Sequence, residues 1–171
     1  YKTLMVNIDD DNDLDVISTV YTSKQVRIFT NDGSGALTQS QQIQLTAPPR
    51  QIDAGDFDGD GDQDLAFTEG SKERILVLLN DGTGNFTFPE NHVYTLSNVP
   101  TDIEVADVNG DGHLDLVTHH SNSRVSVLFG VGTGIFSNAA GFGSNHGSSG
   151  VATGDLNNDG MLDLLACSSS T

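Results

Sequence analysis

The chain has 171 residues, with 24 acidic and 7 basic side chains and a formal net charge of −17. So lopsided a balance leaves no basic face for nucleic acid, and it repels an anionic membrane surface unless a cation bridges the two. The longest aliphatic run, residues 75–79 (ILVLL), is far too short to span a bilayer, so membrane insertion is not expected.

Taken in chain order, the first element is a short strand, TLMV at 3–6, which runs into an acidic stretch, NIDDDNDLD at 7–15. A strand starting at Leu14 and a second at residues 26–29 (VRIF) follow, then a glycine turn, NDGSG at 31–35, and a third strand near Leu37. The same series then restarts. Strand 50–54 leads into DFDGDGDQD at 56–64, strands 65–67 and 75–79, the turn NDGTG at 80–84 and a strand near Phe86. Strand 102–106 leads into DVNGDGHLD at 107–115, strands 114–117 and 125–129, the turn GVGTG at 130–134 and a strand near Phe136. Strand 150–153 leads into DLNNDGMLD at 155–163 and a last strand at 162–165.

The acidic stretches begin 49, 51 and 48 residues apart. No ten-residue window carries helical periodicity, and a period near 50 residues with four short strands per period marks a propeller blade. The expected fold is all-β, built of blades of four antiparallel strands, with about three and a half blades and units near 1–49, 50–100, 101–148 and a partial 149–171. Half a blade leaves strand edges that a neighbouring chain or further sequence would pair. The expectation is therefore a segment of a larger propeller, a subunit of an oligomer, or a homopolymeric fibre.

Sixteen of the acidic side chains fall inside the four stretches, so the acidity is local rather than a solvated surface. Calcium takes six to eight oxygen ligands. A nine-residue loop supplies side chains at positions 1, 3, 5 and 9 and a backbone carbonyl at 7. The first loop offers Asn7, Asp9, Asp11, the carbonyl of Asp13, and Asp15. The second offers Asp56, Asp58, Asp60, the carbonyl of Asp62, and Asp64. The third offers Asp107, Asn109, Asp111, the carbonyl of His113, and Asp115; the fourth, Asp155, Asn157, Asp159, the carbonyl of Met161, and Asp163. Gly61, Gly112 and Gly160 permit the bend at position 6, where the first loop has Asn12. Up to four Ca2+ ions are expected, the tightest in the second loop, which alone offers four carboxylates. Four ions would bring the net charge to −9. Position 12 lacks the glutamate of an EF-hand, and no His/Cys cluster suggests zinc.

Nothing in the sequence reads as catalytic. The five histidines, His92, His113, His119, His120 and His146, are read as surface residues. His119 and His120 are adjacent on a strand and so point to opposite faces. The run 130–134 has no helix after it and cannot act as a phosphate loop. Cys167 stands alone, which excludes an internal disulfide framework and reads as a free thiol.

The loop VADVNGDGHLDLV at 105–117 and the turn NDGTGNF at 80–86 resemble the FG-GAP or VCBS repeats of integrin-α-like calcium-binding propellers, and the resemblance covers essentially the whole chain. It implies calcium at the loop positions named above, and an extracellular or cell-surface location. It does not name a role, because the family spans adhesion receptors, surface proteins, lectin-like domains and enzyme accessory domains. The expected role is a structural or adhesion scaffold whose partner is a protein or further copies of the chain. A glycan-binding role is the weaker expectation, since Trp is absent. The sequon at Asn85 suits secretion.

Overall fold

The structure is a computed structural model that describes residues 2–122, 124–143 and 148–168. His146, among the residues read from sequence, lies outside these, and of Cys167 only the backbone position is described.

Fifteen strands are formed among the described residues, arranged in four consecutive antiparallel sheets. The first sheet runs β1 (Thr3–Val6), β2 (Asp15–Val20), β3 (Gln25–Asn31) and β4 (Leu37–Gln44), in that spatial order. The second is β5 (Pro49–Gly55), β6 (Asp64–Glu69) and β7 (Arg74–Asn80), with β8 (Phe86–Thr87) and β9 (Val93–Thr95) both pairing with β7. The third is β10 (Pro100–Ala106), β11 (Asp115–His120), β12 (Arg124–Leu128) and β13 (Ala140–Gly143); the fourth is the pair β14 (Ser148–Gly154) and β15 (Asp163–Ser168). Each four-stranded sheet is a blade in which sequence order equals spatial order, and the inner strands β1, β5, β10 and β14 pack beside one another in succession. The architecture is all-β, with blades of a propeller and about three and a half of them in this chain.

Period-2 alternation decides which side chains bury. β2 alternates buried and half-buried along its length, because one face of the first blade meets the second. β6 and β11 are buried at every position, because they sit between blades on both faces. Leu65 and Phe67 of β6, with Leu76 and Leu78 of β7, pack toward the first blade onto Ile17, Val26 and Ile28. The alternate residues Ala66, Ile75 and Val77 pack the other way, onto Leu116 and Leu128. Val117, Val125 and Val127 then face the fourth sheet through Val151. By contrast β4 carries four glutamines and is mostly exposed, as an outer strand should be.

Polar groups stitch the blades together as well. The Gln41 amide donates to the Phe86 carbonyl at 2.8 Å and accepts from the Phe86 amide at 2.9 Å, so one side chain pairs like a strand residue across the first junction. Asp53 accepts from the Val105 amide at 2.9 Å, and Glu104 accepts from the Thr153 amide at 3.0 Å.

Two expectations are corrected. The single third strand near Phe86 is two strands, β8 and β9, separated by a turn in which the His92 amide donates to the Pro89 carbonyl. Pro89 has no N–H to give a ladder, so pairing breaks there and resumes at Val93. The corresponding stretch of the third blade is an isolated Gly130–Phe136 bridge followed by β13. Second, His92, His119 and His120 are buried, not on the surface. His119 and His120 end a strand enclosed on both faces, and each finds polar partners there: His119 Nδ1 lies 2.8 Å from Thr101 Oγ1, and His120 Nε2 2.8 Å from Ser126 Oγ. His113 is exposed, as expected.

Candidate metal centres

Each acidic loop joins the innermost strand of a sheet to the next, so all four lie at equivalent places. Two residues per loop take left-handed backbone conformations. At position 6 these are Asn12 (φ 71°), Gly61 (99°), Gly112 (86°) and Gly160 (87°). At position 4 they are Asp10 (61°), Gly59 (82°), Gly110 (74°) and Asn158 (60°), a second bend that the sequence reading missed. Glycine, Asn and Asp are the residues that tolerate it.

The carboxylate at position 1 folds the loop around itself. Asp56 accepts from the amides of Gly59 and Gly61, at 2.7 and 3.1 Å. Asp107 does the same with Gly110, Asp111 and Gly112, and Asp155 with Asp159 and Gly160. These donors hold the Asp107 carboxyl below the usual range, the Gly112 amide most of all. Positions 3 and 5 each accept from the amide two residues on, as in Asn109 to Asp111 and Asp111 to His113. The first loop lacks the full arrangement, because Asn7 accepts only from Asp9, at 3.4 Å.

Position 9 has a role not read from the sequence. Asp64 is fully buried; its Oδ2 accepts from the Phe57 amide at 2.9 Å and its Oδ1 from the Asn80 amide at 2.8 Å. One carboxylate therefore ties the start of its own loop to the start of the glycine turn. Asp15 repeats this with Ile8 and Asn31, and Asp115 with Val108 and Gly130. Asp163 accepts from Leu156 at 3.0 Å. Each carboxylate oxygen retains a lone pair for a cation after accepting one amide.

Position 7 sends its side chain to the glycine turn of its own blade. A methyl group added at Gly82 would stand 2.6 Å from Asp62 Oδ2, and Gly33 and Gly132 lie equally close under Asp13 and His113. The backbone carbonyl at this position is thus the atom left for a ligand. The glycine turn also covers the loop of the preceding blade: the Gly134 amide donates to the Phe57 carbonyl at 2.8 Å, and Asn80 Nδ2 to the Ile8 carbonyl at 2.8 Å.

A divalent cation fits this donor set. In the second loop, oxygens of Asp56, Asp58 and Asp64 lie within 4.8 Å of one another. The other loops place an amide, Asn7, Asn109 or Asn157, where this loop has a carboxylate. Burial, with Asp58 and Asp60 adding repulsion, pushes Asp64 up to about 7. Burial and Asp60 likewise raise Asp58, and burial raises Asp115. In the first loop, Asp9 Oδ1 is buried without a hydrogen-bond partner, and burial with the neighbouring Asp15 and Asp11 charges raises its carboxyl. A hard cation would relieve all of these at once.

Blades of four antiparallel strands, each closed by an acidic loop under a glycine turn, define a repeat protein of the propeller class. The chain matches the FG-GAP-like repeat over residues 7–67, 56–118 and 117–166, and it belongs to that family. Among solved structures it is similar to BBS1N in complex with ARL6DN, in mercury- and lead-soaked crystals, at 14% identity and TM-scores of 0.63 and 0.65. These alignments cover 96% of this chain and 49% and 52% of BBS1N, so the chain spans about half the length of that protein. It is also similar to part of the Photorhabdus luminescens Tc holotoxin pore, at 18% identity and a TM-score of 0.58, over 96% of this chain and 8% of that one. At such identities the likeness is one of fold. No curated protein sequence matches the chain.

Proposed function

We propose that the chain is a calcium-loaded propeller segment, extracellular or cell-surface, that serves as a structural or protein-interaction scaffold and not as an enzyme. The observation that carries this reading is the second loop, where Asp56 and Asp58 converge with a buried Asp64 that also anchors the glycine turn. An ion there would neutralise the repulsion among Asp56, Asp58 and Asp64 and lock the loop against the turn above it. Repeated at Asp15, Asp64 and Asp115, the device would couple cation binding to blade packing. Sites of this kind outside cells fill at calcium concentrations near 10⁻⁴–10⁻³ M, which the cytosol does not supply.

Support for a protein partner comes from the surface and from the relatives. Leu156 and Met161 of the fourth acidic loop are 64% and 54% exposed, and exposed apolar side chains of this size suit a protein contact. BBS1N was solved in complex with ARL6DN. The partner is a protein or a further copy of the chain. Sedimentation velocity in calcium tests self-association: a concentration-dependent shift to larger species supports the copy, and a monodisperse monomer removes it. Melting in chelator and in calcium tests the ion, and unchanged melting temperatures would overturn the calcium reading.

A further inference from the structure

A cavity of about 510 Å3 lies between the outer parts of the second and third blades, away from the acidic loops. Thr95 and Ser97 line it from one blade, and Arg124, Ser126, Asn138 and Gly141 from the other. Its volume is that of a small-ligand site, but its lining is polar.

The hydrogen bonds fix what this lining offers. His120 is fully buried, with Nδ1 3.0 Å from the Asn98 carbonyl and Nε2 2.8 Å from Ser126 Oγ. A carbonyl only accepts, so Nδ1 carries the proton. Burial keeps the ring neutral by lowering its pKa, and Nε2 is therefore an acceptor. Ser126 must then give its hydroxyl proton to Nε2. What remains at Ser126 Oγ is a pair of acceptor sites, in a cavity whose cationic group is Arg124. Arg124 has no carboxylate partner among the described residues. Gly141 pairs with Ser126 across β12 and β13, and a methyl group built on it meets nothing within 4 Å. The missing side chain is what opens the cavity beside Ser126.

We propose that this cavity binds a small hydroxylated carboxylate of the sugar-acid class, its carboxylate on Arg124 and one hydroxyl donating to Ser126 Oγ. A fixed acceptor beside a cation selects for a ligand carrying both a donor and an anion, which neither a neutral sugar nor a simple carboxylate satisfies. Thr95, Ser97 and Asn138 supply further hydroxyl and amide partners. The ligand is either a free acid or an acidic residue within a polysaccharide.

The test is calorimetric titration of the calcium-loaded chain with glucuronate, a glucuronate-containing oligosaccharide, glucose and acetate. Glucuronate should bind at least about tenfold tighter than glucose, which lacks the charge-assisted pair with Arg124, and than acetate, which lacks the hydroxyls that Ser126 Oγ and the polar lining would engage. Arg124→Ala should cost about tenfold or more, and Ser126→Ala should narrow the gap between glucuronate and acetate. Gly141→Leu fills the cavity and leaves every acidic loop intact, so it should abolish binding while melting as the wild type does. Tighter binding of the oligosaccharide identifies a polymer residue as the source, and equal binding identifies the free acid. Absent glucuronate binding, acetate binding as tightly as glucuronate, or binding that survives in Gly141→Leu would each overturn the proposal. The last outcome would place the sugar acid on loop calcium instead.

Discussion

Asp64 is pulled two ways. Its two amide donors, Phe57 and Asn80, favour a carboxylate, while burial and the Asp58 and Asp60 charges favour the acid and prevail, lifting it to about 7. A carboxyl whose folded pKa lies above its unfolded value stabilises most at low pH, and that stability is lost as pH rises through the folded value. In chelator, the Asp64 contribution is therefore lost between about pH 4 and 7. The buried histidines His92, His119 and His120, all lowered by burial, act oppositely, since their contribution is lost as pH falls below about 6.5. Comparing melting of the wild type and Asp64→Asn in chelator isolates the aspartate: wild type minus variant should fall as pH rises from 4 to 7. Asp64→Ala, which orphans two backbone amides, should cost about 2–4 kcal/mol in urea unfolding even without metal. An unchanged midpoint would mean that Asp64 serves the ion alone. At position 4 of the first loop, Asp10 holds a left-handed backbone and adds to the repulsion that raises Asp62. Asp10→Gly should raise metal-free stability by about 0.5–1 kcal/mol, read from the urea midpoint. The convergence of Asp56, Asp58 and Asp64 was legible in the spacing of the aspartates. The latch was not, because its second partner lies sixteen residues away in Asn80 and depends on the blade being folded.

Among elements, the glycine turns do more than reverse the chain. Gly82 combines a φ of 78° with a close approach to Asp62, and its turn leans on the loop of the preceding blade. Gly82→Ala should cost about 1–3 kcal/mol in urea unfolding. In an Asp62→Ala background the cost should shrink but not vanish, since the backbone strain remains after the clash is gone. The sequence showed that 31–35, 80–84 and 130–134 are turns because Asn, Asp and Gly accept such angles. It did not show that the middle glycine makes room for position 7, which is a contact between segments about twenty residues apart. The split of the outer strand into β8 and β9 was written in Pro89, yet the resumption at Val93 depends on pairing with Leu76 of β7. The histidines misled for a related reason. A polar residue reads as exposed until the second blade face that encloses β11 is known, and Thr101, Ser126 and Asn98 supply the partners that make burial tolerable.

At the scale of the whole molecule, the repeat spacing gave the all-β blade architecture directly, because the acidic loops recur once per blade. Three hydrophobic clusters, one at each blade junction, then hold the array together. Sixteen of the 24 acidic side chains lie in the four loops, and they make up most of what gives the chain its net charge of −17. Four calcium ions would reduce it to −9. An ion at a hundred times its dissociation constant stabilises the folded state by about 2.7 kcal/mol, a rise of roughly 5–10 °C for a chain of this size. The second loop, with three converging carboxylates, should fill first, and Asp58→Asn should weaken that site while leaving the rest. The most direct measurement is isothermal calorimetry of calcium into the chelator-stripped chain, wild type and Asp58→Asn side by side. Up to four binding events, the tightest of them lost or weakened in Asp58→Asn, are expected. No heat in the wild type, together with an unchanged melting temperature, would contradict the account.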